Sequence, residues 1–169
     1  MKSLRTLTGL VATWTGTETA ARLQVGVLPT RPGPEGDLEV MLITSRETRR
    51  WVIPKGWPMK GLKNPDAAAQ EAYEEAGLIG RVGKRAIGSY FYNKRLKNRD
   101  MVLCQVQVYQ LEVRKQLASW PEQHEREGRW FSVPEAAEAV TEAGLAALIR
   151  AAGARRRKSR KKEASGRTR

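Results

Sequence analysis

Residues 70–77 read Gln70-Glu71-Ala72-Tyr73-Glu74-Glu75-Ala76-Gly77, and the way this stretch folds decides the rest. Ala67 to Ala76 are mostly good helix formers, and Gly77 supplies a C-terminal stop. Upstream, Asn64 suits an N-cap, Pro65 the first helical position, and Asp66 the positive end of the helix dipole. Ala68, Ala72 and Ala76, with Ala69 and Tyr73, fall at helical spacing and predict a face packed on a sheet. Glu71, Glu74 and Glu75 stand at i, i+3 and i+4, so all three project from one face. Like charges so placed repel by a few tenths of a kcal/mol per pair. They also occupy the last turn, where the dipole disfavours each carboxylate by ~0.3–1 kcal/mol. No Lys or Arg four residues away on this helix relieves them. A hard divalent cation would, because it takes oxygen ligands and commonly keeps waters and a substrate phosphate. The competing reading of the helix alone is a solvated acidic face.

The preceding loop favours the cation. In Pro54-Lys55-Gly56-Trp57-Pro58, the freedom of Gly56 lets the backbone carbonyls of Lys55 and Gly56 come close to the glutamates. Arg46, Arg49, Arg50, Lys55, Lys60 and Lys63 flank the region. Acidic metal ligands ringed by cations suit a polyphosphate, whose oxygens the metal bridges while Lys and Arg neutralise the remainder.

Outward from the helix, Leu23–Leu28, Leu38–Thr44 and Arg50–Ile53 read as strands before it, the first ended by Pro29. Residues 86–92 and 101–113 read as two long strands after it, joined by a basic hairpin loop over 93–100. Trp130–Val133 is a last short strand. Ser132 and Pro134 start a helix through about Val140, and a final helix covers Leu145–Ala152. This order predicts an α/β (α+β) fold, a mixed, partly antiparallel sheet with helices packed on it. Residues 1–18 read as a poorly determined leader, 19–152 as one domain, and 153–169 as a basic tail.

The chain of 169 residues carries a net charge of +13, unevenly spread. Between Ala154 and Arg169 there are nine Lys/Arg against one Glu, so this tail holds +8 of the total. Such a density of like charge predicts disorder, and a possible contact with RNA or another polyanion over residues 155–162. The tail has no aromatics for stacking bases. The single cysteine, Cys104, lies in an apolar run, and a lone cysteine suits a reducing cytoplasm. The single histidine, His124, has no Cys or His partner at ligand spacing, which argues against a histidine metal site. No apolar run approaches the roughly 20 residues of a membrane span, and no cleavage site follows the short patch Leu7–Trp14 as a secretory signal requires. Nothing in the sequence sets the oligomeric state.

From Gly56 to Leu78 the residues resemble the box of the Nudix hydrolase family. Its pattern is Gly, five residues, Glu, seven residues, Arg-Glu, an apolar residue, any residue, Glu-Glu, any residue, Gly and an apolar residue. Glu71, Glu74, Glu75 and Gly77 match in register, while Leu62 replaces the first glutamate and Gln70 the arginine. Outside the box, Arg50–Pro54, the basic hairpin near Lys94–Arg99, Trp120 and Arg126–Phe131 resemble the diphosphoinositol polyphosphate and diadenosine polyphosphate hydrolase branch. The resemblance, which spans roughly residues 19–150, implies an α/β/α sandwich and a Mg²⁺-dependent (Mn²⁺ as a possible substitute) diphosphatase. It implies that Glu71 and Glu75 bind metal, and that Glu74 binds metal or takes the proton of the attacking water. Arg22, Arg46, Lys97, Asn98 and Arg126 fall where that branch contacts substrate phosphates. Arg50 and Arg99 join them as cations flanking the same regions. The substitutions at Leu62 and Gln70 threaten activity more than fold, so a weakly catalytic binding module for phosphorylated ligands is the alternative expectation. A nucleic-acid-binding protein dominated by its tail is the other.

Overall fold

A computed structural model describes residues 20–166 of the chain, so the expected leader lies outside the described residues. Eight strands form one sheet: β1 (Arg22–Pro32), β2 (Leu38–Thr44), β3 (Trp51–Val52), β4 (Lys55–Gly56), β5 (Leu78–Val82), β6 (Gly88–Arg95), β7 (Met101–Gln116) and β8 (Gly128–Ser132). Three helices accompany them: α1 (Asn64–Ala76), α2 (Val133–Ala139) and α3 (Ala143–Gly166). The central path runs β3-β2-β1-β7-β5. β1 and β7 pair in parallel over nine residues, Arg22↔Cys104 to Thr30↔Glu112, and the other pairs are antiparallel. The sheet is therefore mixed, as the order of elements predicts.

Both faces are covered, and the side-chain alternation of strands divides the core in two. Even-numbered Leu28, Val40, Leu42, Val106 and Val108 pack under α2 and α3 with Ala136, Leu145 and Ile149. Odd-numbered Val25, Val27, Met41, Ile43, Tyr109 and Leu111 pack under α1 with Ala67, Ala68, Ala72 and Ala76. Burial on both faces explains the unbroken buried run from Gln24 to Thr30 in β1. The result is the expected α/β/α sandwich.

Several local expectations change. α1 is preceded by Lys63, which gives no side-chain cap, and Asn64 instead donates its amide to Gln107 Oε1 at 3.2 Å. Its packed face is Ala67, Ala68, Ala72, Glu75 and Ala76, whereas Tyr73 is exposed. β1 continues through Pro29 to Pro32, because pairing with β7 and, from Thr30, with β2 outweighs one missing N–H. β5 went unseen because its short alternation, Leu78 buried and Ile79 exposed, is interrupted by Gly80 at a register shift.

The largest correction concerns the tail. It is helical through Gly166, not disordered. Leu145, Ala146 and Ile149 are packed and supply the nucleus, so each further Arg, Lys or Ala extends an existing helix at little cost. Arg160 then ties the helix to the β1–β2 turn through Asp37 Oδ1 at 2.9 Å and the Glu35 carbonyl at 3.3 Å.

Candidate active site

α1 lays its glutamates against β4 and the segment between β7 and β8. Gly77 ends the helix in the left-handed conformation (φ 64°), and its N–H returns to the Ala72 and Tyr73 carbonyls. Trp120 packs so closely over Gly77 that a Cβ there would collide with the indole. Gly56 is needed for another reason: a Cβ on it would occupy the position of the Glu71 carboxylate. The Lys55-Gly56 backbone does lie against the glutamates, but the contact is the Lys55 N–H donating to Glu75 Oε2 at 3.1 Å and not an approach of the expected carbonyls.

The three carboxylates have different surroundings. Glu75 is 8% exposed, and its Oε1 accepts from Arg126 Nη2 at 2.7 Å. Burial pushes its carboxyl upward, opposed by the charges of Lys55 and Arg126 and by the Lys55 N–H. Glu74 Oε1 accepts from Gln70 Nε2 at 2.8 Å. Gln70, in the place of the box arginine, therefore still orients a glutamate. Glu71 is pushed up to about 7, first by desolvation, then by the charges of Glu75, Glu74 and Glu122. Without a cation, then, Glu71 is not fully ionised at neutral pH.

Arg126 is the central cation. Its Nη1 donates to the Thr44 carbonyl at 3.2 Å and its Nε to Glu122 Oε2 at 3.4 Å, beyond its bond to Glu75. Only 9% of its side chain is exposed. Its protein partners, Glu75 foremost, fix its position, and it also lines the cleft over the cluster. The guanidinium missing at Gln70 is in effect supplied from a segment 51 residues away.

A cleft of about 740 Å³ opens over this cluster. Glu71, Glu74, Glu75, Glu122 and Glu142 line it together with Arg46, Arg50, Lys55, Trp57, Lys94, Arg95 and Arg126. Arg46 reaches Glu122 and Glu125, both at 3.3 Å, and Arg50 reaches Glu142 at 3.2 Å. Arg22 does not line the cleft but stacks 4.4 Å above the ring of Trp57, which does. Lys97, Asn98 and Arg99 are not brought to it. They form the exposed hairpin tip, where Asn98 donates to Asp100 at 2.6 Å. Lys94 and Arg95, earlier in the same hairpin, take their place because they still lie on β6. Leu62 is 46% exposed on the loop and absent from the lining. Sequence reasoning missed Glu122 and Glu142. Both sit in segments without periodicity, and only the fold carries them to the cleft.

Among the described residues, no three His, Cys, Asp or Glu side chains converge to enclose a metal ion in this arrangement. Gln70 and Arg126 draw Glu74 and Glu75 to separate partners. The donor chemistry nevertheless fits a hard divalent cation. All four acidic groups offer carboxylate oxygens, and Glu71, crowded and destabilised as an anion, is the group such an ion would relieve.

A mixed sheet covered by helices on both faces, with a carboxylate-bearing helix edging a cleft that basic residues also line, defines a class of α/β sandwich. The NUDIX domain pattern matches residues 20–152, and the chain belongs to that family. It is 36% identical to "Nudix hydrolase 13, mitochondrial" of Arabidopsis thaliana, over 62% of this chain and 54% of that one. It is 35% identical to "Diphosphoinositol polyphosphate phosphohydrolase 3-alpha" of Mus musculus, over 60% of each. The chain thus spans a little over half the length of such relatives. In fold it resembles the Caenorhabditis elegans Ap4A hydrolase binary complex, with a TM-score of 0.57 and 19% identity over 77% of this chain and 93% of that one. No helix among the described residues is long and apolar enough to cross a membrane.

Proposed function

We propose that the chain is a Mg²⁺-dependent hydrolase that cleaves a diphosphate linkage in a nucleoside-diphosphate-X type substrate, a dinucleoside polyphosphate or a diphosphoinositol polyphosphate. The observation that carries this reading is the shared cleft. The glutamate face of α1 and the cations Arg46, Arg50, Lys55, Lys94 and Arg95 open onto one space. A polyphosphate needs both, the acidic pole for metal and the basic walls for its own charge. The names of the relatives point to the same chemistry.

Mg²⁺, held by Glu71 and Glu75 with Glu74 and the Lys55 and Gly56 backbone close by, would polarise the phosphoryl group and acidify the attacking water. Mn²⁺ would serve in its place. Gln70 fixes one oxygen of Glu74 and leaves the other to take the proton as the water oxygen bonds to phosphorus. The bridging P–O bond breaks, and the departing phosphate carries the electron pair into a field of Lys and Arg.

A screen of diphosphate substrates tests the reading. Wild type should release product only with Mg²⁺ or Mn²⁺, and Glu74→Gln should lose about 10²- to 10⁴-fold in rate. Binding without turnover in wild type would leave the alternative, a catalytically weak module that holds phosphorylated ligands. We place the protein in the cytoplasm, supported by a lone, buried cysteine. We retain RNA or another polyanion as a partner for residues 155–162, supported by the helical, mostly exposed cations there.

A further inference from the structure

α3 starts beside Tyr90, where Gly144 packs on it, and ends beside the β1–β2 turn. Ile149 and Ala152 are buried, and at 3.6 residues per turn Arg156 and Arg160 fall on the same face. Arg156 is half-buried, and its charge reaches Glu112 on β7. Arg160 holds the turn through Asp37 and the Glu35 carbonyl. This docked face fixes what the opposite face presents. There Arg150, Arg157 and Lys161 form one row, and Arg155, Lys158 and Lys162 a second. All six are exposed, and none has an ion-pair partner among the described residues. Cations three and four apart on a helix repel one another. The one acidic residue from Ala154 onward, Glu163, falls on the docked side and does not relieve them.

A rigid, straight array of cations suits a rigid, straight array of anions. From Arg150 to Lys162 the helix rises about 18 Å. A nucleic-acid duplex carries one negative charge per ~1.7 Å of its axis, so this length faces about ten phosphates at fixed spacing. A single strand is held largely by stacking on aromatic rings, and α3 has none. A helix lying in a membrane surface buries large apolar side chains, and beyond Ile149 α3 has no apolar residue larger than alanine. The array also stands clear of the cleft. No residue of α3 lines the cleft, and from Gln24 in its lining β1 runs roughly 26 Å to Pro32 near the turn that Arg160 holds. We propose that the outward face of α3 binds the phosphate backbone of a nucleic-acid duplex and tethers the chain there with its cleft open. This rests on the polyanion reading of residues 155–162 and narrows it to one partner.

The test measures binding of the full chain to a short RNA duplex, to one of its strands alone, to polyglutamate as an acidic-protein mimic and to phosphatidylglycerol vesicles. Affinity for the duplex should fall about a thousandfold between 50 and 200 mM salt, as six phosphate contacts require. The single strand should bind at least about tenfold more weakly. Arg157→Gln, Lys158→Gln, Lys161→Gln and Lys162→Gln together should lower the slope of log affinity against log salt by about 3 to 4. Glutamine keeps the helix propensity, and circular dichroism checks that α3 survives. Lys60→Gln, Lys63→Gln, Lys97→Gln and Arg99→Gln together remove as much charge from other surfaces and should leave most of the slope. Strand and duplex bound equally, or polyglutamate or vesicles bound more tightly, would overturn the duplex proposal and leave a polyanion partner standing. Equal losses in the two fourfold variants would overturn α3 as the contact. No salt-dependent binding to any of these ligands would overturn the polyanion reading as well.

Discussion

Replacing Glu71 by glutamine sets stability against function. The Glu71 carboxyl is raised from 4.5 to about 7, so the folded protein holds that proton where the unfolded chain has lost it. Between these values the native state binds more protons, and stability falls as pH rises through the window. The loss is absent below the lower value and complete above the upper one. Taken in full, the shift corresponds to about 3 kcal/mol, and solvent screening of a partly exposed group reduces this to about 1–2 kcal/mol. Glu71→Gln keeps the shape and removes the charge. In urea melts at pH 8 with EDTA, the variant should exceed wild type by about 1–2 kcal/mol, and the gap should close toward pH 5. Added Mg²⁺ should stabilise wild type more than the variant, since ligand binding to the folded state adds to stability. A variant no more stable than wild type at pH 8, or a gap independent of pH, would refute the electrostatic account of the cluster.

Other outcomes follow from the same geometry. Arg126→Ala leaves Glu75 buried without its ion pair and should cost about 3–5 kcal/mol in denaturant melts, whereas Arg126→Lys should cost less. Gly77→Ala forces a side chain into the left-handed region and against Trp120, and should lower the melting temperature; an unchanged melt would mean that the indole moves aside freely. Gly56→Ala should abolish metal-dependent turnover while leaving most of the far-UV circular dichroism, because the added methyl displaces Glu71. Neutralising the cations of residues 155–162 should flatten the salt dependence of any RNA affinity in fluorescence anisotropy, and an unchanged slope would exclude this helix as the contact.

The sequence made some of this legible and concealed the rest, for physical reasons. α1 was readable because its spacing, proline and terminal glycine act locally, and β2 because its branched residues alternate between two buried layers. The glutamate trio was readable because helix geometry alone puts the three on one face. What it could not reveal is which partner each would find. Arg126 lies 51 residues from Glu75, and Glu142 lies 92 residues from Arg50, distances only the sheet closes. Composition presents the hairpin cations as one set, but strand pairing sorts them. Residues still on β6 line the cleft, and those past it turn to solvent. Composition alone measures the self-repulsion of the tail and not the packed helix from which it grows.

The segment from Leu117 to Glu127 acts as a strap across the end of α1. Leu117 N–H bonds the Gly77 carbonyl at 2.8 Å, Glu122 N–H bonds the Glu74 carbonyl at 3.0 Å, and Trp120 rests on Gly77. Arg126 completes the attachment through Glu75. The same strap therefore satisfies the Glu74 and Gly77 carbonyls, carries Glu122 to the cleft and pairs Glu75 with a cation. Its release would dissolve the cluster without unfolding the sheet. Hydrogen exchange at the Leu117 and Glu122 amides would then serve as a gauge of whether the acidic pole is assembled, read out from backbone positions that belong to no motif.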